Sequence, residues 1–531
     1  MRKAAPARGG GGGVPRRADD PAAATEAAAA AAAEATLNRA RARCVEVCAR
    51  FPCGSAGDAP VSYGTAGFRC DATESPARLE AALVRAALLA CVRSKAYGVH
   101  TPVGLMITAS HNPPADNGCK LVERDGCMLG AEWERVAGTV CNERDGARVW
   151  EMLLDAWRSL GQHGTATTAP EADTDTMMMR REWTLVVGRD TRRSGRRLEE
   201  ACCAAVCAVF GHDGDGDAAG DAGDCPHIRR MGVATTPMLH YEVYRLSRAL
   251  RRPSEERPKD IADSEAGASR GQPQPLDEQE DYFNRIAGGY GRLIADNGLW
   301  TKDGAVDVWV DCAHGVGAIA VERLTQLIDP TVLRLRLRNA ARAIEHDAQG
   351  NASEYDDSLL NVCCGSDYVQ KEMRAPRGFF ETGGDAREGP STSTSAMHSM
   401  HCSLDGDADR IVFFDGAQHE SGKRGARVGS TPAGGFVVFD GDRIAILAAS
   451  LLKEMLAPLG RIFDASGWTP KIGIVQTAYA NGASTRYIRV RRITLAFFDS
   501  SSAPRHATPR HAKTQRVKLR LMREQIASPV L

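Results

Sequence analysis

The chain has 531 residues, room for roughly three to four domains, and 43% hydrophobic residues with 53 glycines can build more than one core. Lys plus Arg and Asp plus Glu both total 67, so no global charge pulls the chain toward nucleic acid or an anionic membrane; no run of about twenty apolar residues exists to span a bilayer. Sixteen cysteines without a C-x-x-C ladder are too sparse for a disulfide scaffold and read as reduced thiols of a cytoplasmic protein.

Taken in chain order, the first 36 residues are dominated by Gly, Ala and Arg and hold no apolar signal core. A transit peptide would lack acids and carry Ser, whereas Asp19 and Asp20 arrive early and Ser is missing, so residues 1–58 read as a disordered low-complexity tail. Tyr63-Gly64-Thr65-Ala66-Gly67-Phe68-Arg69 follows, a Gly-spaced turn presenting one arginine. Leu79, Ala82, Leu83, Ala86, Leu89 and Ala90 make one apolar helical stripe, and Val103 to Thr108 reads as a buried strand. Directly after it stands Thr108-Ala109-Ser110-His111-Asn112-Pro113. A strand ending in a small polar turn projects its side chains at the sheet edge, where α/β proteins place their sites. Ser110 is then a hydroxyl with an adjacent imidazole; the alternative is an ordinary Ser/Asn turn. A serine-hydrolase elbow, G-x-S-x-G, is absent. Asp116-Asn117-Gly118-Cys119-Lys120 brings an amine back toward the same loop.

Leu185 to Val187 and Val306 to Val310 are further strands, separated by solvated spacers at Asp213–Asp224 and Pro253–Gln279; a third spacer runs from Asp385 to Ser399. The first spacer has Asp at several calcium-loop positions but Ala218 where the turn Gly belongs, and reads as a flexible acidic loop. The next chemical signal is Asp405-Gly406-Asp407-Ala408-Asp409-Arg410, before the strand Ile411 to Phe414. Three carboxylates at i, i+2 and i+4 repel unless a cation gathers them, and hard oxygen ligands suit Mg²⁺. Arg410 beside them can hold a phosphate by paired hydrogen bonds. The alternative is an acidic surface turn, which fits poorly between apolar strands. Asp440-Gly441-Asp442 looks similar but opens a helix whose apolar positions are Ile444, Leu447, Ala448, Leu451, Leu452 and Met455; Asp caps such a helix. From Arg489 to Leu531 ten basic residues face two acids, and apolar periodicity collapses after Phe498. Strands alternating with helices give α/β layers. No P-loop or dinucleotide fingerprint supports nucleotide-driven phosphoryl transfer.

The T-A-S-H-N-P and D-N-G-C-K runs followed by D-G-D-A-D-R resemble the α-D-phosphohexomutase superfamily. Y-G-T-A-G-F-R at Tyr63, G-R-D-T-R at Gly188, T-T-P-M-L-H-Y at Thr235, D-C-A-H-G-V-G-A at Asp311, C-G-S-D-Y-V at Cys364 and V-Q-T-A-Y-A-N-G at Val475 narrow the resemblance to the eukaryotic phosphoacetylglucosamine mutase family, over about residues 60–488. The resemblance implies successive α/β domains with mixed sheets. Residues 59–250 would form the first, 281–460 the second beyond a linker at 251–280, and 461–488 the start of a third. A divergent basic tail at 489–531 would stand where the family continues with its E-A-N-G-H-G sugar loop and a fourth domain, so domain three is expected to be incomplete and domain four absent.

It further implies interconversion of N-acetylglucosamine 6-phosphate and 1-phosphate through a phosphoserine and a bisphosphate, in UDP-N-acetylglucosamine biosynthesis. Ser110 would be the phosphoserine, and Ser110, Asp405, Asp407 and Asp409 would surround one Mg²⁺ per chain. Arg69, His111, Lys120 and Arg410 would flank the transferring group, with Lys120 a proton carrier. A lysine base needs its pKa lowered by nearby cations or burial. The expected partner is an amino-sugar phosphate, for a monomer that binds neither nucleic acid nor membrane. The alternatives are a catalytically impaired truncated homologue, a mis-spliced gene product, or a mutase for another hexose phosphate.

Overall fold

The computed structural model describes residues 21–54, 60–64, 67–73, 75–98, 100–161, 171–211, 225, 227–250, 275–297, 305–346, 352–380, 399–415, 436–456, 473–476, 482–490 and 494–497. The acidic spacer expected at Asp213–Asp224 lies outside these residues, as does most of the other two spacers.

The expected disordered tail contains instead a thirty-residue helix, α1 (Pro21–Arg50). Alanine has the highest helix propensity, and Ala33, Ala40, Cys44, Val47 and Cys48 recur at helical spacing and are buried. Low complexity hid that stripe. After it come β1 (Phe68–Asp71), α2 (Pro76–Tyr97), β2 (Pro102–Ile107), β3 (Asp116–Val122), α3 (Ala131–Asn142), α4 (Gly146–Gly161), α5 (Glu171–Arg180), β4 (Thr184–Arg189), α6 (Ser194–Phe210), β5 (Ile228–Val233) and α7 (Thr236–Leu250). The strands form one mixed sheet in the order β1-β3-β2-β4-β5, with β2, β4 and β5 parallel and β3 antiparallel to both β1 and β2. Alternation along β2 and β4 divides the core. Val103, Leu105, Ile107, Leu185 and Val187 face α2 and α6, while Met106 and Val186 meet Leu239 and Val243 of α7. Helix α2 is more than the one-sided stripe read from sequence: residues 81–95 are all buried, because α3, α4 and α6 cover what the sheet does not.

A second set follows: α8 (Pro275–Asn297), β6 (Val306–Asp311), α9 (Gly317–Leu327), β7 (Leu333–Arg338), the hairpin β8 (Arg342–His346) and β9 (Ala352–Asp356), α10 (Ser366–Glu372), β10 (Ser399–Leu404), β11 (Ile411–Asp415) and β12 (Val437–Phe439). Its start corrects the linker expected over 251–280, since the last six of those residues are helical. Phe283 of α8 packs with Ala234 and Met238 on one side and Ala320 and Leu324 of α9 on the other, tying the two units together. The second sheet runs β12-β11-β10-β6-β7, again two antiparallel and then two parallel pairings. Both sheets therefore share one spatial plan. In each, the central strand (β2 or β10) leaves through a short loop to its antiparallel neighbour.

The final elements are α11 (Gly441–Leu456), β13 (Gly473–Gln476), α12 (Gly482–Val490) and β14 (Thr494–Phe497). Asp440 caps α11 as expected, accepting a hydrogen bond from the Arg443 amide at 3.1 Å. β14 pairs in parallel with β13, so residues 494–497 of the expected basic tail are a strand. The Thr-Leu-Ala-Phe run is apolar enough to pair once a helix brings it back beside β13. No helix among the described residues is long and apolar enough to cross a membrane.

Candidate active site

The two matching loops face each other across the boundary between the sheets. Ser110 lies in the loop between β2 and β3, in the left-handed region at φ 52°, and is buried. Its amide donates to Thr108 Oγ1 at 2.8 Å, and that hydroxyl donates to the buried Asp190 at 2.7 Å. The second sheet repeats the device: Ser403 on β10 donates to the buried Asp311 at the end of β6, at 2.5 Å. Burial pushes both the Asp190 and the Asp311 carboxyl up, against donors that favour the ionised form. Each aspartate thus anchors the end of the central strand that delivers a chemical loop.

The Ser110 hydroxyl donates to Asp405 Oδ2 at 2.7 Å, bridging 295 residues of sequence. Carboxylate oxygens of Asp405, Asp407 and Asp409 lie within 4.8 Å of one another, and among the described residues no other such acidic, His or Cys group of three occurs. Gly406 permits the approach, since a Cβ there would sit 2.6 Å from the Ser110 carbonyl oxygen. Lys120 on β3 places Nζ 2.6 Å from Asp407 Oδ2 and 2.7 Å from Asp409 Oδ2. Thr236, at the start of α7, donates its hydroxyl to Asp407 Oδ2 at 2.7 Å. Burial and the charges of Asp407 and Asp409 push Asp405 well above the carboxylate range. Burial acts on Asp407 too, but the Lys120 ammonium and the Thr236 hydroxyl outweigh it and hold its pKa down.

These residues fit a divalent cation. Asp407 Oδ1 is buried with no hydrogen-bond partner among the described residues, and an unpartnered carboxylate oxygen in a cluster of three acids is what a hard cation satisfies. Burial lowers the Lys120 pKa, but Asp407 and Asp409 override it and hold the ammonium above its usual range.

Arg410 and His111 close the site on one side. Arg410 Nε is 3.1 Å from Asp405 Oδ2 and Nη2 is 3.1 Å from Ser110 Oγ, while Nη2 also meets His111 Nδ1. Asp367 of α10 stands 3.7 Å from Arg410 Nη1 and 4.0 Å from His111 Nε2. Arg69 is farther out, donating to Asn112 Oδ1 at 3.0 Å and lying 3.5 Å from His111 Nδ1. All eight residues singled out from sequence thus share one site, with Arg69 reaching it through the serine loop. Thr108, Asp190, Arg192, Thr236, Asn361 and Asp367 were not assigned there, although five of the six fall inside the motifs named above.

Sequence models of three domains match this chain: "Phosphoglucomutase/phosphomannomutase, alpha/beta/alpha domain I" over residues 63–144, "Phosphoacetylglucosamine mutase AMG1, domain II" over 272–412, and domain III of the same family over 440–508. The chain belongs to the phosphoacetylglucosamine mutase family. The third match begins at the cap of α11 and runs twenty residues past Ile488, where the resemblance was expected to end. Among relatives in this family, the phosphoacetylglucosamine mutase of Saccharomyces cerevisiae is 32% identical over 430 residues, covering 81% of this chain and 61% of the yeast protein. The chain thus spans about three-fifths of that relative's length. Among solved phosphohexomutases, Aspergillus fumigatus N-acetylphosphoglucosamine mutase aligns in two states. A serine-to-alanine variant in complex with glucose 1,6-bisphosphate has a TM-score of 0.58 at 27% identity, and the complex with GlcNAc-6P and magnesium has 0.55 at 28%. Each alignment covers 86% of this chain and 65% of the fungal one.

Proposed function

We propose that this chain carries the phosphoserine and metal half of a phosphoacetylglucosamine mutase site, acting on N-acetylglucosamine phosphates. The observation that supports it best is the Ser110 hydroxyl held by Asp405 inside the three-carboxylate cluster, with Arg410 on the same oxygen. In the forward half-reaction the substrate hydroxyl attacks the phosphorus of phospho-Ser110. The new O–P bond forms as the P–Oγ bond breaks, and the proton given up by the substrate hydroxyl balances the one gained by Ser110 Oγ, leaving a sugar bisphosphate and a free serine. After the bisphosphate turns, Ser110 Oγ attacks its other phosphorus and the bond from that phosphorus to the sugar oxygen breaks, restoring phospho-Ser110. Asp405 Oδ2, which accepts the hydroxyl hydrogen bond, is placed to take the serine proton, and the released sugar oxygen gains one. Arg410 aims its guanidinium at the transferring oxygens, where charge develops in the transition state. Lys120 holds Asp407 and Asp409 together, donating to both. Asp405, Asp407, Asp409 and a phosphate oxygen on Ser110 would hold one Mg²⁺, which when bound neutralises charge on the transferring phosphoryl group.

The fungal complexes with GlcNAc-6P, magnesium and glucose 1,6-bisphosphate support this substrate class and cofactor. The same reading takes residues 21–250, 275–439 and 440 onward as three successive domains, and places the reaction before formation of an activated amino sugar. The decisive experiment incubates the purified chain with Mg²⁺ and ³²P-labelled glucose 1,6-bisphosphate. Label is expected on Ser110 and nowhere in Ser110→Ala; label elsewhere, or none in the parent, refutes the nucleophile. The exposed apolar face of α11 favours a second reading, in which Ser110 accepts phosphate but sugar-phosphate interconversion is slow. A coupled assay for N-acetylglucosamine 1-phosphate formation separates the two.

A further inference from the structure

Two donors from different domains grip the same two carbonyls of the serine loop. Arg192, fully buried behind β4 and paired with Asp190 at 3.0 Å, donates from Nη2 to the Ser110 carbonyl at 3.1 Å and the Asn112 carbonyl at 2.9 Å. Asn361, in the segment between β9 and α10, donates from Nδ2 to the same oxygens, at 2.9 Å to Ser110 and 3.0 Å to Asn112. Each carbonyl has two acceptor positions, and here one is taken from each side. Ser110 needs such a grip because its left-handed backbone is costly for a residue with a Cβ and persists only when its surroundings over-determine it.

Asn361 is itself tied to the metal side. Its amide donates to the Ala313 carbonyl at 3.0 Å, and Asp311, which anchors β10, also accepts from the Ala313 amide at 3.2 Å and the Gly365 amide at 2.8 Å. A Cβ on Gly406 would come within 2.8 Å of Asn361 Nδ2, so the asparagine, the metal loop and the serine loop are in direct backbone-scale contact. Position of the second domain is therefore read into the backbone of the serine loop through the Asn361 amide group, beside the side-chain contacts of Ser110 and His111.

We infer that Asn361 is a positioning residue for phosphoryl transfer, fixing the Ser110 loop from the second domain in register with the Asp405–Asp409 loop. The inference rests on the phosphoserine reading above for its chemistry, but not for its structural part. Asn361 lies at φ 58°, which Gly and Asp also tolerate. Asn361→Gly removes the grip, and Asn361→Asp sets an acceptor against two carbonyls. Two measurements on the 531-residue chain test it: hydrogen exchange of the 108–116 segment, and single-turnover labelling by ³²P-glucose 1,6-bisphosphate with Mg²⁺. Both variants should lose protection in that segment while β2 and β4 keep theirs. The saturating labelling rate should fall on the order of 10- to 100-fold, the penalty expected of a misplaced nucleophile, with the half-saturating bisphosphate concentration and Mg²⁺ affinity unchanged. Unaltered protection in the loop overturns the clamp. Altered protection with a parental labelling rate, or a joint loss of rate, half-saturation and Mg²⁺ affinity, overturns the positioning role. A parent that fails to label, with loop protection still lost in the variants, refutes the phosphoserine reading and leaves the clamp standing.

Discussion

Helices α2 and α11 carry the same apolar code and meet different surroundings. In α2, Leu79, Leu83 and Leu89 are inaccessible, enclosed by a five-stranded sheet and three other helices. In α11, Leu447 is 68% exposed, Leu451 55% and Leu452 43%, although the spacing is as regular. The difference lies in the sheets they can reach. α2 packs against a five-stranded layer, whereas the strands that follow α11 among the described residues form a two-stranded sheet. Periodicity specifies a face that wants cover; it does not specify the cover. The same contrast separates the serine–metal site, built between two five-stranded sheets, from the C-terminal region.

The sharpest test of the enclosed half is Arg192→Ala. It leaves Asp190 buried without its ion-pair partner and removes one of the two donors on each of the Ser110 and Asn112 carbonyls, and should cost roughly 3–5 kcal/mol in urea unfolding. Leu83→Ala should cost about 2–5 kcal/mol by the same measurement, as for any large truncation in a packed core. Asp407→Asn, which keeps size but removes one charge from the cluster, should weaken Mg²⁺ binding roughly tenfold, about 1.4 kcal/mol by calorimetry. Leu451→Ala should cost less than about 0.5 kcal/mol, the usual range for a surface change. A loss at Leu451 matching that at Leu83 would break the comparison, because it would mean that the α11 face is covered in solution.

Much of the enclosed half was legible because its signals are local. The strand before Ser110 and the i, i+2, i+4 spacing of the acids each need only a few neighbouring residues, as does the Asp440 cap of α11 outside it. What stayed hidden depends on contacts over long separations. Thr236 meets Asp407 across 171 residues and Asn361 meets Ser110 across 251, and neither residue type is unusual in a turn. The Ala-rich helix was hidden for the opposite reason. Its composition suggested disorder, while its burial comes from a handful of Ala, Cys and Val positions whose partners lie in α4, α5 and α6. Lys120 shows a third limit: its residue type suggests a base, and the two carboxylates that accept from its ammonium come from a loop 287 and 289 residues away.

The site straddles a boundary, and that has a consequence for the protein during its own synthesis. Ser110 leaves the ribosome long before Asp405, 295 residues later. At roughly 5–20 residues per second the interval is about 15–60 s. Through that time the first sheet can form with Thr108, Asp190 and Arg192 in place, but the serine has neither the acids nor Arg410 nor the Asn361 grip. If Ser110 is the nucleophile proposed above, a nascent chain keeps it chemically silent until the second sheet has folded and docked, and phosphate on Ser110 would mark completed assembly.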